Sequence, residues 1–281
     1  MVLHVGTDEA GYGPLLGPLV VAAAAYAAPG PRRATPGAGV DDSKVVYGRG
    51  GRDALARVLG PYLGARAPVR LSDLLGRLSV RGAPRDPYPW YGEGADPAAG
   101  EGEPPASFKG LWVNPVCEGD FNAGCEGDGG KAGLLFRETM RVVRAALDTA
   151  PDDEAIVVCD KHGGRNRYAG HLMAEFSPSV LVAEREGPAL SAYRLEVKGR
   201  TIRFRFVRAA DGADRAAALA SMAAKYVREL FMEGLNRFFA ERVDGLRPTA
   251  GYYGDARRFL RDIGPALRSL PFDRAALVRK R

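Results

Sequence analysis

Three apolar, strand-like runs in this chain end in carboxylates. "LHVGTDEA" delivers Asp8 and Glu9, "EAIVVCD" delivers Asp160, and "TIRFRFVRA" runs into Asp211 just ahead of a long helical stretch. Between the first and second runs lies helix-period sequence, with Leu135, Phe136, Met140, Val143 and Leu147 on one face. A helix feeding a strand in this way is the βαβ arrangement of an α/β fold. Ligands of open α/β sheets sit at the strand ends, so the same pattern constrains both the fold and the place of a site. Neighbouring carboxylates repel one another, and four around a small volume call for cations. Two magnesium ions roughly 4 Å apart would offset that charge and assist in-line attack on a phosphodiester.

The rest of the chain can be placed around these runs. After Glu9 the chain turns on Gly11 and Gly13, and "GPLVVAAAAY" reads as a second strand whose small residues allow close packing. Residues 27 to 40 read as a Pro/Gly loop leading into "DDSK", and residues 52 to 81 carry helical spacing. Residues 82 to 130 are dense in Pro, Gly and acidic residues and read as an inserted flap or partly disordered loop. Within them "CEGDFNAGCEGD" reads as a Gly-rich surface loop, since a metal clip at Cys117 and Cys125 lacks the other ligands of a closed zinc site. Residues 188 to 208 read as an extra hairpin turning at Lys198-Gly199, with Arg203, Arg205 and Arg208 making an exposed face that is either solvated or a phosphate-binding ridge. A long helix is expected over 215 to 241, with Asp211 or Asp214 as its N-cap, followed by a C-terminal helical region over 245 to 281. The expectation is one domain spanning 1–281 with these elaborations.

Composition narrows the function classes. Lys plus Arg number 40 against 34 Asp plus Glu, a formal charge of +6 that suits a polyanionic partner and equally an ordinary basic protein. Three cysteines form no disulfide framework. No apolar run reaches the roughly 18 residues of a membrane span, and the N-terminus lacks the pattern of a secretory signal, so a cytoplasmic protein without membrane contact is expected.

The residues that carry the site pattern resemble the ribonuclease HII family, the type 2 ribonucleases H. "GTDEAGYGPLLGPLVVAA" is similar to that family's opening Asp-Glu-Ala-Gly-Arg-Gly-Pro with its following Gly-Pro and apolar strand. "VDDSKVV" resembles its Asp-Asp-Ser-Lys segment, here Asp41 to Lys44, and "LASMAAKYVREL" resembles its Ala-Ser-Ile-x-Ala-Lys-Val-x-Arg-Asp helix, here Ala220 to Glu229. The family's last catalytic aspartate stands fourteen positions ahead of the helix lysine, and from Lys225 that register gives Asp211. By this resemblance Asp8, Glu9, Asp160 and Asp211 are the catalytic, metal-binding set. Gly11, Tyr12, Gly13, Ser43, Lys44, Lys225 and Tyr252 are then the substrate-binding residues, with Tyr252 in "AGYYGDARRFL" the counterpart of the family's sugar-stacking tyrosine.

The resemblance implies a ribonuclease H-like α/β fold, a mixed five-stranded sheet flanked by helices. It also implies a monomeric endonuclease that uses two Mg2+ or Mn2+ ions. Such an enzyme cuts the RNA strand of RNA/DNA hybrids, or DNA with embedded ribonucleotides, leaving a 5′-phosphate and a 3′-hydroxyl. The sequence departs from the family at Tyr12, where a basic residue is usual, and at Arg257, near the place of an expected histidine. His162, two residues past Asp160, is either a loop histidine or a donor to the leaving oxygen. Two alternatives follow from these departures: a nucleic-acid-binding homologue without catalysis, and a nuclease of the same fold with another duplex substrate.

Overall fold

The computed structural model describes residues 1–28, 39–64, 70–82, 88–92, 102–151, 154–272 and 276–280. Seven strands form one mixed sheet: β1 (Val2–Ala10), β2 (Leu19–Ala28), β3 (Phe108–Val116), β4 (Glu154–Asp160), β5 (Val180–Arg185), β6 (Leu190–Val197) and β7 (Arg200–Val207). Their spatial order is β3-β2-β1-β4-β7-β6-β5. The helices are α1 (Ser43–Gly48), α2 (Gly51–Leu59), α3 (Leu71–Leu78), α4 (Pro89–Gly92), α5 (Glu118–Cys125), α6 (Gly130–Leu147), α7 (Ala169–Glu175), α8 (Ala210–Ala213), α9 (Arg215–Ala240), α10 (Tyr253–Asp262) and α11 (Gly264–Arg268).

The three carboxylate-bearing runs are the parallel centre of this sheet. β1 pairs parallel with β4, Thr7 opposite Cys159, and β4 pairs parallel with β7, Asp160 opposite Val207. Their C-terminal ends therefore share one edge. The sheet's alternation divides the core in two. Leu3 and Val5 of β1 and Val21 and Ala23 of β2 face α6, together with Val157, Phe204 and Phe206. Val20, Ala22, Ala24 and Tyr26 face α9 and the short N-terminal helices.

α9 lies unusually close to β1. A Cβ at Gly6 would stand 2.0 Å from the Ala217 amide nitrogen and 2.3 Å from the Ala216 carbonyl carbon, so position 6 admits no side chain. Asp214 fixes the helix end there. Its Oδ1 accepts the Ala216 and Ala217 amides at 3.0 Å, which makes it the N-cap, and its Oδ2 lies 2.7 Å from His4 Nε2 on β1. Burial alone would raise the Asp214 carboxyl, but the bonds from His4 and the two amides hold it below its usual value. The choice between the two candidate caps is thus settled for Asp214, which leaves Asp211 in the single turn of α8.

Several expectations change at this level. The sheet has seven strands rather than five because β5 and β6 extend it beyond β7. The hairpin over 188 to 208 is β6 and β7, and its second strand is a central strand bonded to β4. The run from 82 to 130 is not simply a flap. It contributes β3 to the sheet edge and buries Trp90 against Phe272, ring centroids 5.0 Å apart, while residues 83–87 and 93–101 lie outside the described residues. The first Cys-Glu-Gly-Asp opens α5 and the second begins at its last residue, and Phe121 on the inner face anchors the helix to α6. Most of the loop expected over 27 to 40 lies outside the described residues. No helix among the described residues is long and apolar enough to cross a membrane.

Gly6→Ala should destabilise the protein by about 1–3 kcal/mol, because the added methyl meets helix backbone that cannot rotate away. Gly76→Ala in α3, where a methyl meets open space, should instead stabilise it by up to about 1 kcal/mol. Urea unfolding of the two variants reads both signs.

Candidate active site

A cavity of about 420 Å³ opens at the shared strand edge on the α9 side of the sheet. Asp8 and Glu9 enter it from β1, Asp160 from the end of β4, and Asp211 from α8 just past β7. The facing wall is basic and hydroxylic: Ser43 and Lys44 from α1, Ser221, Lys225 and Arg228 from α9, and Tyr252 at the start of α10. Residues 221, 225 and 228 recur at helical spacing, which puts all three on the face that α9 turns toward the strand edge.

Electrostatics in the acidic wall are dominated by burial. Burial pushes the Asp8 carboxyl up to about 7; a hydrogen bond from Ser221 and the Glu9 amide oppose the rise, and Asp160 and Asp211 add to it. Glu9 is raised well above its ordinary value by burial first and then by Asp8, Asp160 and Asp211. Asp160 is also raised, again chiefly by burial, although its Oδ1 accepts the Ala210 amide at 3.1 Å. In the absence of cations these groups hold protons that free carboxylates would release. Oxygen-rich, charge-frustrated sites of this composition suit hard divalent cations. Among the described residues, no group of three or more His, Cys, Asp or Glu side chains is arranged to hold a metal ion as it stands.

The basic wall is built rigidly. Asp42 caps α1 by accepting the Lys44 amide at 2.7 Å, and the Ser43 hydroxyl lies 3.0 Å from that of Ser221, which ties α1 to α9. Lys225 Nζ donates to Glu229 Oε1 at 3.0 Å and sits 4.0 Å from the Tyr47 ring centroid. Its carboxylate partner is therefore Glu229. Arg228 is buried and donates from Nη2 to the carbonyls of Leu16 and Ala250, at 3.3 and 3.0 Å. Tyr252 stands 60% exposed at the rim, its ring free to meet a ligand.

The glycine turn is held from both sides. Gly11 has φ +83°, and a Cβ there would meet Arg228 Nε at 2.4 Å and the Pro18 carbonyl at 2.6 Å. From the opposite end of the chain, buried Arg279 donates to the Gly11 carbonyl at 2.5 Å, the Gly17 carbonyl at 3.3 Å and the Tyr12 carbonyl at 2.8 Å. Gly11 lines the cavity, whereas Tyr12 and Gly13 do not. The Tyr12 ring packs toward the α6 side, with Lys131 Nζ 4.4 Å from its centroid. His162 is not a proton donor at this site. It is buried among Phe136, Tyr168 and Phe206, and burial followed by Arg165 pulls it down to about 3, so it stays neutral in the core.

Sequence reasoning missed Ser221, Arg228 and Arg279. The first two stand inside the helix segment "ASMAAKYVRE", where spacing from Lys225 was enough to place them on the same face. Arg279 carries no local signal, because only the tertiary fold brings the chain end to residue 11.

The ribonuclease HII family model matches residues 5–66, which span β1, the glycine turn, β2, α1 and α2. No curated protein matches the chain. Among solved structures, a mutant of Bst-RNase HIII aligns with a TM-score of 0.51 at 18% identity, over 98% of this chain and 65% of that one. RNase HII in the PCNA:RNase HII complex from Archaeoglobus fulgidus aligns at 0.49 and 17% identity, over 99% of this chain and 94% of that one. Ribonuclease H2 from Pyrococcus horikoshii OT3 aligns at 0.48 and 17%, over 99% and 92%. The fold is of the ribonuclease H type. The match to the ribonuclease HII family model rests on the N-terminal segment; beyond it the likeness is one of fold.

A carboxyl at Asp8 that titrates near 7 when folded, against 3.8 ordinarily, keeps its proton longer in the folded chain than in the unfolded one. Between those values stability falls as pH rises, and above about pH 7 the loss is complete. Asp8→Asn removes that penalty. In EDTA its thermal midpoint should exceed the wild type's at pH 8, with the gap closing toward pH 4; a gap independent of pH would contradict the assignment.

Proposed function

We propose that this protein is a metal-dependent endonuclease that hydrolyses the RNA strand of RNA/DNA hybrids, including DNA with embedded ribonucleotides, to leave a 5′-phosphate and a 3′-hydroxyl. The observation that carries the reading is the cavity itself, with four carboxylates from three parallel strand ends facing Lys44, Lys225 and Arg228. The family match over the segment that supplies Asp8, Glu9, Gly11, Ser43 and Lys44 supports it.

Asp8, Glu9, Asp160 and Asp211 would hold two Mg2+ or Mn2+ ions, whose charge would offset the mutual repulsion of the carboxylates as their protons leave. Bound there, such ions supply an activated water and a stabilised leaving oxygen. The remaining chemistry is positioning. Lys44 and Ser43 engage the phosphate backbone across from the acidic wall, and the turn at Gly11 brings backbone close enough for an amide to read a ribose 2′-hydroxyl, the group that separates RNA from DNA. Tyr252 offers its exposed ring to a sugar. Lys225, anchored by Glu229, contributes positive potential without neutralising the carboxylates. Tyr12 cannot supply the cation usual at its position, so recognition of a single ribonucleotide rests on Gly11 and Tyr252.

A labelled hybrid should be cut in the presence of Mg2+ or Mn2+, and Asp8→Asn or Asp211→Asn should lower cutting by more than about 100-fold while binding is kept. Wild-type protein that binds hybrid, embedded-ribonucleotide and plain DNA duplexes yet cuts none with either ion would replace this reading with that of a binding protein. Preferential cutting of plain DNA would assign another duplex substrate.

A further inference from the structure

The sheet face that carries the site is only half covered. α9 packs over β1 and β2, while among the described residues β7, β6 and β5 carry no helix of their own on that side. The strand register shows what paves the open half. Ile156, Arg203, Arg194 and Val182 stand side by side in one row. Two residues nearer the site, Val158, Arg205, Ala192 and Arg185 form the next row. Two residues further, on the same face, the strands reach the level of Asp8 and Asp160.

Two of the arginines in these rows make no ion pair among the described residues. Arg203 pairs with Glu154, and Arg194 pairs with Glu196 at 3.1 Å and Glu184 at 4.0 Å. Arg185 and Arg205 are the two, and both are exposed, whereas Arg208 lies past the end of β7 and outside these rows. The surface around them is not an apolar docking patch: Ile156 and Val158 are buried, and Val182 is 42% exposed. Cations without partners on an otherwise ordinary surface suit a polyanion better than a protein core.

We infer that this open face is a track for the phosphate backbone of the duplex held at the carboxylate cavity, with Arg185 and Arg205 as its contacts. The inference rests on the nucleic-acid reading of that cavity. The spacing fits: Arg205 stands two residues of strand, roughly 7 Å, from the level of Asp160, about two steps of a nucleic-acid strand at ~3.4 Å each, and Arg185 lies two strands across in the same row, roughly 10 Å away. α8, which lies between the cavity and the track, carries only Ala210, Asp211, Gly212 and Ala213, so no bulky side chain blocks the way. Arginine forks bind phosphate oxygens bidentately, and a row of them fixes a backbone without reading sequence.

Fluorescence anisotropy in EDTA, over a range of salt, tests the track on a long hybrid and on a short one that ends at the site. Replacing Arg185 and Arg205 together by Ala should reduce the slope of log K against log salt by about 2 on the long hybrid, roughly 0.9 for each lost contact. Affinity should fall at least about tenfold at low salt. The short hybrid should bind as before, the turnover number on saturating hybrid should be unchanged, and the corresponding double Lys variant should retain most of the slope. An unchanged slope on the long hybrid overturns the track even if the wild type cuts. If the wild type binds with the expected slope difference but cuts nothing, the endonuclease reading falls and the track stands. A wild-type dimer in sedimentation that the Ala variant dissolves, with no change in slope, would assign the face to a second copy of the chain and overturn it as well.

Discussion

α9 reaches β1 only because position 6 has no side chain, and much of the site follows from that close approach. With Ala216 and Ala217 lying on Gly6, and Asp214 joining the helix start to His4, the face of α9 that carries Ser221, Lys225 and Arg228 stands directly over the end of β1. A helix one side chain further away would leave Asp8 facing water. The alanines of α9 and β2 serve the same end, since small residues on both surfaces let a helix and a sheet pack at short range.

Opposed charge is then concentrated in a small volume, and rigid supports keep it there. Parallel pairing of β1, β4 and β7 forces the carboxylates to one edge, at a cost visible in the raised titration of Asp8, Glu9 and Asp160. The basic wall does not collapse onto them because its members have other partners: Lys225 has Glu229, and Arg228 spans the Leu16 and Ala250 carbonyls. Arg228 and Arg279 together fix the turn at Gly11 from two sides. The result is a site strained in charge but not free to relieve the strain by rearrangement, the condition in which a dication binds with most effect.

Much of this was legible in the sequence. Strand runs ending in Asp8, Asp160 and Asp211 are local signals, and the helix motif around Lys225 set the register that links them. What could not be read depends on partners far apart in the chain. The Pro/Gly-rich composition of 82 to 130 concealed β3 because an edge strand needs only one neighbour and tolerates Gly110 and Pro115. His162 stood open between a loop residue and a proton donor; the chain leaves β4 at Asp160, and only the tertiary fold turns the ring into the aromatic core. Arg279 was invisible because its importance comes from a contact with residues more than two hundred and fifty positions earlier.

Whether the carboxylates gathered at the strand edge share metal ions decides what this protein can do. Anomalous diffraction from crystals soaked in Mn2+ addresses this most directly. Density between the Asp8 and Asp211 carboxylates, with Glu9 and Asp160 among the ligands, is the expected result. Manganese found only elsewhere on the molecule, or an edge that stays empty when the ion is saturating, would contradict it.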